Sequence, residues 1–111
     1  MEYRQITDDY SVAGQLTAAD VQAAKDAGFK AMICNRPDAE DGAVPHAEIE
    51  AAAKAAGLEF RYIPVVSGQI TMENVDDQAA ALDSLPAPVL AYCRSGARCN
   101  NLFGLVQQKR G

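Results

Sequence analysis

The sequence predicts a three-layer α/β fold in which helices flank a mostly parallel central sheet. Segments of strand type and helix type alternate along the chain, and Val89–Tyr92 consists of Val, Leu, Ala and Tyr. Such an apolar run is typical of a central parallel strand that helices cover on both faces. Helices that connect parallel strands form right-handed crossovers, and these crossovers produce the three layers.

The N-terminal half predicts three strands and two helices. Strand-type residues occupy positions 3–6, 11–13 and 29–34. Thr17, with Asp20 three residues later, matches a capping box and predicts a helix over residues 17–27 that ends at a glycine. After a polar loop, Pro45 begins an alanine-rich helix that ends at Gly57.

The C-terminal half continues the alternation up to a glycine-containing turn. Residues 59–65 have the composition of a strand, and a Ser-Gly pair then interrupts the pattern. Thr71 begins a helix that reaches about residue 85, before two prolines end it. The strand Val89–Tyr92 follows, and a further helical pattern comes after the turn.

That turn carries the chemistry, because Cys93 and Arg98 enclose Arg94-Ser95-Gly96-Ala97 between a strand and a helix. Backbone N–H groups and a helix N-terminus converge there, which favours an anion. A free thiol has a pKa of about 8.5, and about 3 kcal/mol of preferential stabilisation would lower it to about 6. We therefore predict a nucleophilic Cys93 thiolate in an anion-binding loop, with Arg98 binding a tetrahedral oxyanion through its planar fork.

The remaining residues of the loop are predicted to serve the anion or the loop geometry. Ser95, Gly96 and Ala97 supply the loop amides, and Gly96 allows a positive φ or a close approach. Arg94 is expected to point to solvent or to substrate. Arg36 lies in a loop that leaves the sheet at the same end, where ligands bind in such folds. It is therefore either a residue at the rim of the pocket or an exposed ion-pairing residue.

Composition restricts the partners. The chain has 111 residues, 49% of them hydrophobic, and a net charge of −5, so we expect a single domain over residues 1–111 and no nucleic-acid surface. No membrane span is predicted, and the expected location is the cytoplasm. Three cysteines and one histidine provide neither a disulfide framework nor a zinc site. We predict no metal or cofactor, and a small anionic substrate.

Four segments in order carry a family resemblance. They are residues 12–17 (VAGQLT), residues 35–38 (NRPD) with Glu40, residues 62–65 (YIPV) and residues 93–98 (CRSGAR). Together they resemble the small phosphatase-like sulfurtransferase family, whose domain also occurs fused to persulfide dioxygenases in proteins called beta-lactamase hydrolase-like. The resemblance implies a dual-specificity-phosphatase-like fold, and membership in, or partnership with, a sulfide-oxidising enzyme.

The same resemblance leaves two reactions open. The loop encloses four residues, as in rhodaneses, and one fewer than in tyrosine and dual-specificity phosphatases; residues 62–67 also hold no aspartate to act as general acid. The preferred prediction is a thiol-dependent sulfurtransferase that forms a Cys93 persulfide from thiosulfate or a small persulfide. The alternatives are a phosphatase that forms a phosphocysteine from a phosphate ester, and a non-catalytic sulfane carrier or redox module.

Cys99 is a third difference from the phosphatases, after the loop length and the missing aspartate, since phosphatases of this pattern have a serine or threonine at that place. The resemblance implies that a second thiol faces Cys93 from the first helical turn. It could form a disulfide with Cys93 or exchange a sulfane sulfur with it, or it could serve packing alone.

Overall fold

A five-stranded sheet forms the middle layer of the molecule. The computed structural model describes residues 1–110. The strands are β1 (Arg4–Thr7), β2 (Tyr10–Ala13), β3 (Ala31–Cys34), β4 (Glu59–Tyr62) and β5 (Val89–Tyr92), arranged in the order β1-β2-β5-β3-β4. Only the pair β1–β2 is antiparallel among these described strands, so the prediction of a mostly parallel sheet is confirmed.

Two pairs of helices form the outer layers. The helices are α1 (Asp20–Asp26), α2 (His46–Ala55), α3 (Met72–Ser84) and α4 (Ala97–Arg110). Buried residues of α1 and α2 share one core cluster with Leu90 and Tyr92, whereas residues of α3 and α4 share another with Val89 and Ala91. The alternating side chains of β5 therefore supply both cores, which is the physical reason why this central strand is apolar throughout. None of the helices in residues 1–110 is long and apolar enough to cross a membrane.

The predicted elements are all present, but some of their ends differ. Helix α1 begins at Asp20 rather than at residue 17, because the carbonyls of Thr17 and Ala18 accept from N–H groups three residues later (3.0 and 3.2 Å), which makes residues 17–19 a tight turn. The Asp20 carboxylate accepts from the backbone N–H of Thr17 (2.8 Å), as in the predicted capping box. Strand β4 ends at Tyr62 rather than at residue 65, since Pro64 has no N–H to donate to a neighbour. Thr71 caps α3 through a full capping box with Asn74.

The carboxyl ends of the parallel strands bring three loops together. The backbone N–H of Asn35 donates to the carbonyl of Tyr92 (2.9 Å), and that of Val65 donates to the carbonyl of Asn35 (2.9 Å). The loops that follow β3, β4 and β5 consequently meet at one edge of the sheet, as expected for ligand sites in this class of fold.

Candidate active site

The turn between β5 and α4, residues 93–98, forms a tight loop that we call the Cys93 loop. Gly96 has a φ of 91°, and a Cβ at this position would lie 3.5 Å from the backbone of Ala13. A distance of 3.5 Å is an ordinary van der Waals contact, so it is the left-handed backbone that disfavours a side chain at this position. The backbone N–H of Gln15 donates to the Arg94 carbonyl (3.3 Å), which joins the Cys93 loop to the segment after β2.

Cys93 lies at the floor of this loop and is 1% exposed. The hydrogen bond from the Cys99 thiol lowers the pKa of Cys93 most, whereas burial raises this pKa. Hydrogen bonds from the backbone N–H groups of Cys99, Ser95 and Gly96 lower it further, and the resulting pKa is about 5. The N–H of Gly96 lies 3.1 Å from the Cys93 sulfur. At neutral pH the sulfur is therefore a thiolate, which is the nucleophilic form of cysteine.

Cys99 directs its thiol at Cys93 from the first turn of α4. Burial raises the pKa of Cys99, and its hydrogen bond to Cys93 raises it further, so the Cys99 thiol remains protonated and donates. Its backbone N–H has no carbonyl partner at the start of the helix and is free to donate to the same sulfur. The structure brings the two thiols together, with both sulfurs unoxidised; a disulfide between them stays a prediction.

Arg98 extends its guanidinium across the edge of the sheet. Nη1 donates to Glu40 Oε2 (2.8 Å) and to the carbonyl of Val65 (2.9 Å), and Nη2 donates to Glu40 Oε1 (3.2 Å). Nε is buried and has no hydrogen-bond partner within residues 1–110. A buried donor without a partner is costly, so a ligand oxygen that accepted from it would stabilise the site.

The structure does not bring Arg36 to the rim of the pocket, nor does it leave this residue exposed. Its side chain is 6% exposed and donates to Glu40 Oε1 (3.0 Å), Gln15 Oε1 (3.0 Å) and the Asp41 carbonyl (2.6 Å). The physical reason is Glu40, which lies four residues further along the loop and attracts the guanidinium inward. Glu40 thus forms ion pairs with both Arg36 and Arg98.

Glu40 remains ionised between the two guanidiniums. Partial burial raises its pKa, but hydrogen bonds from Arg98 and Arg36 and their charges outweigh that effect, and the net pKa is lowered. Arginine is always protonated in proteins. The cluster of Arg36, Arg98 and Glu40 therefore carries one positive charge in excess.

A buried chain of hydrogen bonds supports the loop from behind. Asn35 and Gln78 donate to one another's side-chain oxygens (2.9 and 3.2 Å), and Asn35 also donates to the Ile63 carbonyl (2.9 Å). Gln78 donates to the Tyr10 hydroxyl (3.3 Å), which donates to the Cys99 carbonyl (3.0 Å). This chain ties β3, β2 and α3 to the first turn of α4. Sequence reasoning missed it, although Gln78 is a polar residue on the otherwise apolar inner face of α3.

An open cavity of about 680 Å³ lies above Cys93, and we call it the Cys93 cavity. Its lining consists of Ser67, Gly68, Ile70, Cys93, Arg94, Ser95, Ala97, Arg98 and Asn101. Two of these residues are arginines and none is an aspartate or glutamate, so the lining keeps one positive charge in excess after the Cys93 thiolate is counted, while the whole chain has a charge of −5. The cavity is therefore a positive site on an acidic molecule, an arrangement that concentrates anions.

Two carboxylates of the loop after β3 are unsuited to proton donation. Glu40 is held ionised by the two arginines. Burial raises the pKa of Asp38, but hydrogen bonds from the backbone and ring of His46 lower it more, and the ring of His46 lies 2.7 Å away. The described residues thus provide a nucleophile and an anion site without an evident general acid.

Comparison with known proteins identifies a family for this chain. Residues 2–110 match the family described as "Beta-lactamase hydrolase-like protein, phosphatase-like domain". A beta-lactamase hydrolase-like protein of Agrobacterium fabrum is 32% identical over 112 residues, covering 100% of this chain and 26% of that protein. One from Xylella fastidiosa strain Temecula1 is 29% identical over 108 residues, covering 96% and 25%. The chain thus spans only about a quarter of the curated relatives it matches.

Solved structures show the same fold. A candidate phosphatase from Neisseria meningitidis Z2491 has a TM-score of 0.86 at 33% identity, covering 97% of this chain and 78% of that chain. A candidate phosphatase from Shewanella putrefaciens CN-32 has a TM-score of 0.87 at 26% identity, covering 98% and 72%. The catalytic core of the PP-IP phosphatase Siw14 from S. cerevisiae has a TM-score of 0.73 at 12% identity, covering 96% and 64%, a likeness of fold alone.

These likenesses confirm the predicted three-layer α/β fold of phosphatase type. The match over residues 2–110 includes all four segments that carried the resemblance in the sequence. The chain therefore belongs to the family of beta-lactamase hydrolase-like, phosphatase-like domains.

Proposed function

We propose that this domain is a cysteine-dependent phosphatase, the alternative that the sequence left open, rather than the sulfurtransferase that it favoured. This proposal rests mainly on the excess positive charge of the Arg36–Glu40–Arg98 cluster beside a Cys93 thiolate. A phosphoryl group would be attracted by that charge, and its oxygens would accept from the unpartnered Nε of Arg98. The family and the structural likenesses support the same reaction class.

The reaction would proceed in two steps. The Cys93 thiolate attacks phosphorus, the bond to the leaving oxygen breaks, and a phosphocysteine forms while loop amides and Arg98 bind the equatorial oxygens. Water then attacks phosphorus, and the Cys93 thiolate leaves as inorganic phosphate forms. The hydrogen bond from the Cys99 thiol stabilises the departing thiolate in this second step.

The absence of an acidic residue from the lining of the described cavity restricts the substrates. An alkoxide leaves poorly without a proton donor, whereas phenolates and phosphates leave without one. We therefore expect aryl phosphates and phosphoanhydrides to react faster than alkyl phosphates.

A sulfurtransferase remains the second candidate because of the length of the loop. The Cys93 loop encloses four residues, which is the rhodanese length, and a transfer from thiosulfate needs no acid. In that reaction the Cys93 thiolate attacks the outer sulfur, sulfite leaves with the electron pair of the broken S–S bond, and a Cys93 persulfide remains. The predicted association with a sulfide-oxidising enzyme and the non-catalytic carrier role both remain predictions beside it.

One experiment separates these candidates. Hydrolysis of p-nitrophenyl phosphate and thiosulfate:cyanide sulfur transfer are measured for the wild type, Cys93→Ser and Cys34→Ser. Cys34 is a matched control because it is another buried thiol, outside the Cys93 loop. We expect the wild type to release phosphate, and the rate in Cys93→Ser to be lower by about 10³-fold or more. The rate in Cys34→Ser should equal that of the wild type. Sulfur transfer that exceeds phosphatase activity and needs Cys93 would instead establish the second candidate.

A further inference from the structure

Arg94 is the cation of the Cys93 cavity that the phosphoryl site does not use. Its side chain is exposed, and it makes no ion pair within the described residues 1–110. Arg98, by contrast, is held inward by Glu40 and the Val65 carbonyl, next to the buried sulfur. The cavity therefore has one cation fixed at its floor and a second one in its open part.

The cavity is also too large for a phosphoryl group alone. Its volume of about 680 Å³ lies within the range of about 300–1,000 Å³ typical of pockets that hold whole small molecules. Asn101, four residues after Ala97 on α4, lines the same cavity and provides amide donors. The leaving group of a substrate would occupy this outer part, beside Arg94 and Asn101.

We propose that Arg94, with Asn101, forms a second anion subsite, and that the preferred substrates are compact phosphate compounds whose leaving group carries another anionic group. The inference rests on the proposed function and names its substrate class. A carboxylate or a second phosphate would fit, because either accepts two hydrogen bonds from a guanidinium. Charge complementarity favours this class, since Arg94 makes no ion pair within residues 1–110 and no aspartate or glutamate lines the cavity.

Binding tests the subsite without depending on turnover. Alkylation of Cys93 by iodoacetamide is followed by mass spectrometry at pH 7, in the presence of methylphosphonate or methylenediphosphonate. The first ligand has one anionic group, and the second has two and is not hydrolysed. The proteins are the wild type, Arg94→Gln and Arg61→Gln, because Arg61 is an exposed arginine on β4 outside the cavity lining.

We expect the diphosphonate to protect Cys93 of the wild type and of Arg61→Gln at a concentration about tenfold or more below that of methylphosphonate. In Arg94→Gln this advantage should fall to about twofold, which is the statistical factor for a diphosphonate with two equivalent ends. Protection by methylphosphonate should persist in this variant. An advantage that is absent from the wild type, or that survives in Arg94→Gln, overturns the subsite. Failure of both ligands to protect the wild type would instead overturn the anion site and with it the proposed function.

Discussion

At the scale of single residues, the chemistry depends on how protons and charges are distributed around one sulfur. Cys93 and Cys99 share a hydrogen bond, yet they titrate in opposite directions from the ordinary thiol pKa. The fold separates them because the amides of the loop converge on Cys93 only, whereas Cys99 is enclosed by apolar neighbours. One thiol thus becomes a nucleophile and the other its hydrogen-bond donor.

Replacing Cys99 tests this division directly. Cys99→Ala removes the largest contribution to the lowered pKa of Cys93, and a hydrogen bond to a charged group is worth about 1.5–3 kcal/mol, or about one to two pKa units. We expect the pH midpoint of Cys93 alkylation, near 5 in the wild type, to rise by that amount in Cys99→Ala. Cys99→Ser keeps a donor and should keep a midpoint close to that of the wild type. Equal midpoints in all three proteins would contradict the role of Cys99.

Glu40 gives a second prediction at this scale. Glu40→Gln leaves two arginines beside each other without their shared anion, so we expect a lower unfolding temperature and activity reduced by about tenfold or more. Added sulfate should restore more of the unfolding temperature in this variant than in the wild type, because it supplies the missing charge. The control is Glu50→Gln, which breaks a pair with the exposed Lys54 on the surface of α2 worth about 0.5 kcal/mol. A sulfate effect equal to that of the wild type would argue against a charge deficit.

At the scale of elements, α4 joins the nucleophile to the core. Its first turn holds Cys99 and Arg98, and its next turns bury Leu102, Phe103 and Val106. Phe103 stacks on Tyr10 with ring centroids 4.2 Å apart, so the packing of α4 against β2 and the hydrogen bond from Tyr10 to Cys99 reinforce each other. The geometry of the site is therefore coupled to the stability of this helix.

Two glycines around this helix should respond in opposite ways to alanine. Gly96 has a φ of 91°, so Gly96→Ala should cost about 1–3 kcal/mol of unfolding free energy and displace the amide that contacts Cys93. Gly104 lies inside α4 with open space around it, so Gly104→Ala should add about 0.5–1 kcal/mol. Urea unfolding and phosphatase assays of both variants check this. A stable and active Gly96→Ala protein would show that the loop does not need the positive φ.

Local patterns predicted the elements better than they predicted the site contacts. Strand β5 was predicted with its observed bounds because a run of four apolar residues between a proline and the Cys93 loop permits little else. The burial of Arg36 was not predicted, because it depends on Gln15 and on a carboxylate shared with Arg98, which join distant parts of the chain. Periodicity reports the face of an element, but it carries no information on pairings across loops.

At the scale of the whole molecule, the acidic chain places its positive charge where the parallel strands end. The net charge is −5, while the residues that line the Cys93 cavity include two arginines. The loops after β3, β4 and β5 supply Glu40, the Val65 carbonyl and the Cys93 loop respectively. Folding alone therefore assembles the anion site, and the free energy of folding becomes linked to the ionisation of Cys93.

This linkage predicts how stability depends on pH. The pKa of Cys93 is about 5 in the folded chain and about 8.5 in an unfolded one, so the unfolded state binds more protons between these values. The contribution of Cys93 is complete above about pH 8.5, declines as the pH falls, and is lost below about pH 5. Between these values the unfolding free energy due to Cys93 changes by at most about 1.4 kcal/mol per pH unit, and water at the open cavity reduces this dependence by screening the charge.

Urea unfolding under reducing conditions measures the effect at pH 5.5 and pH 7.5. Between these pH values, the wild type should gain about 1–2 kcal/mol more unfolding free energy than Cys93→Ser. All other titratable groups are common to both proteins, so the difference isolates the sulfur. Cys99 does not disturb the comparison, because its pKa is raised in the folded protein and it stays protonated throughout. Parallel pH profiles for the two proteins would mean that the fold does not stabilise the Cys93 thiolate, and the nucleophile would then lack its physical basis.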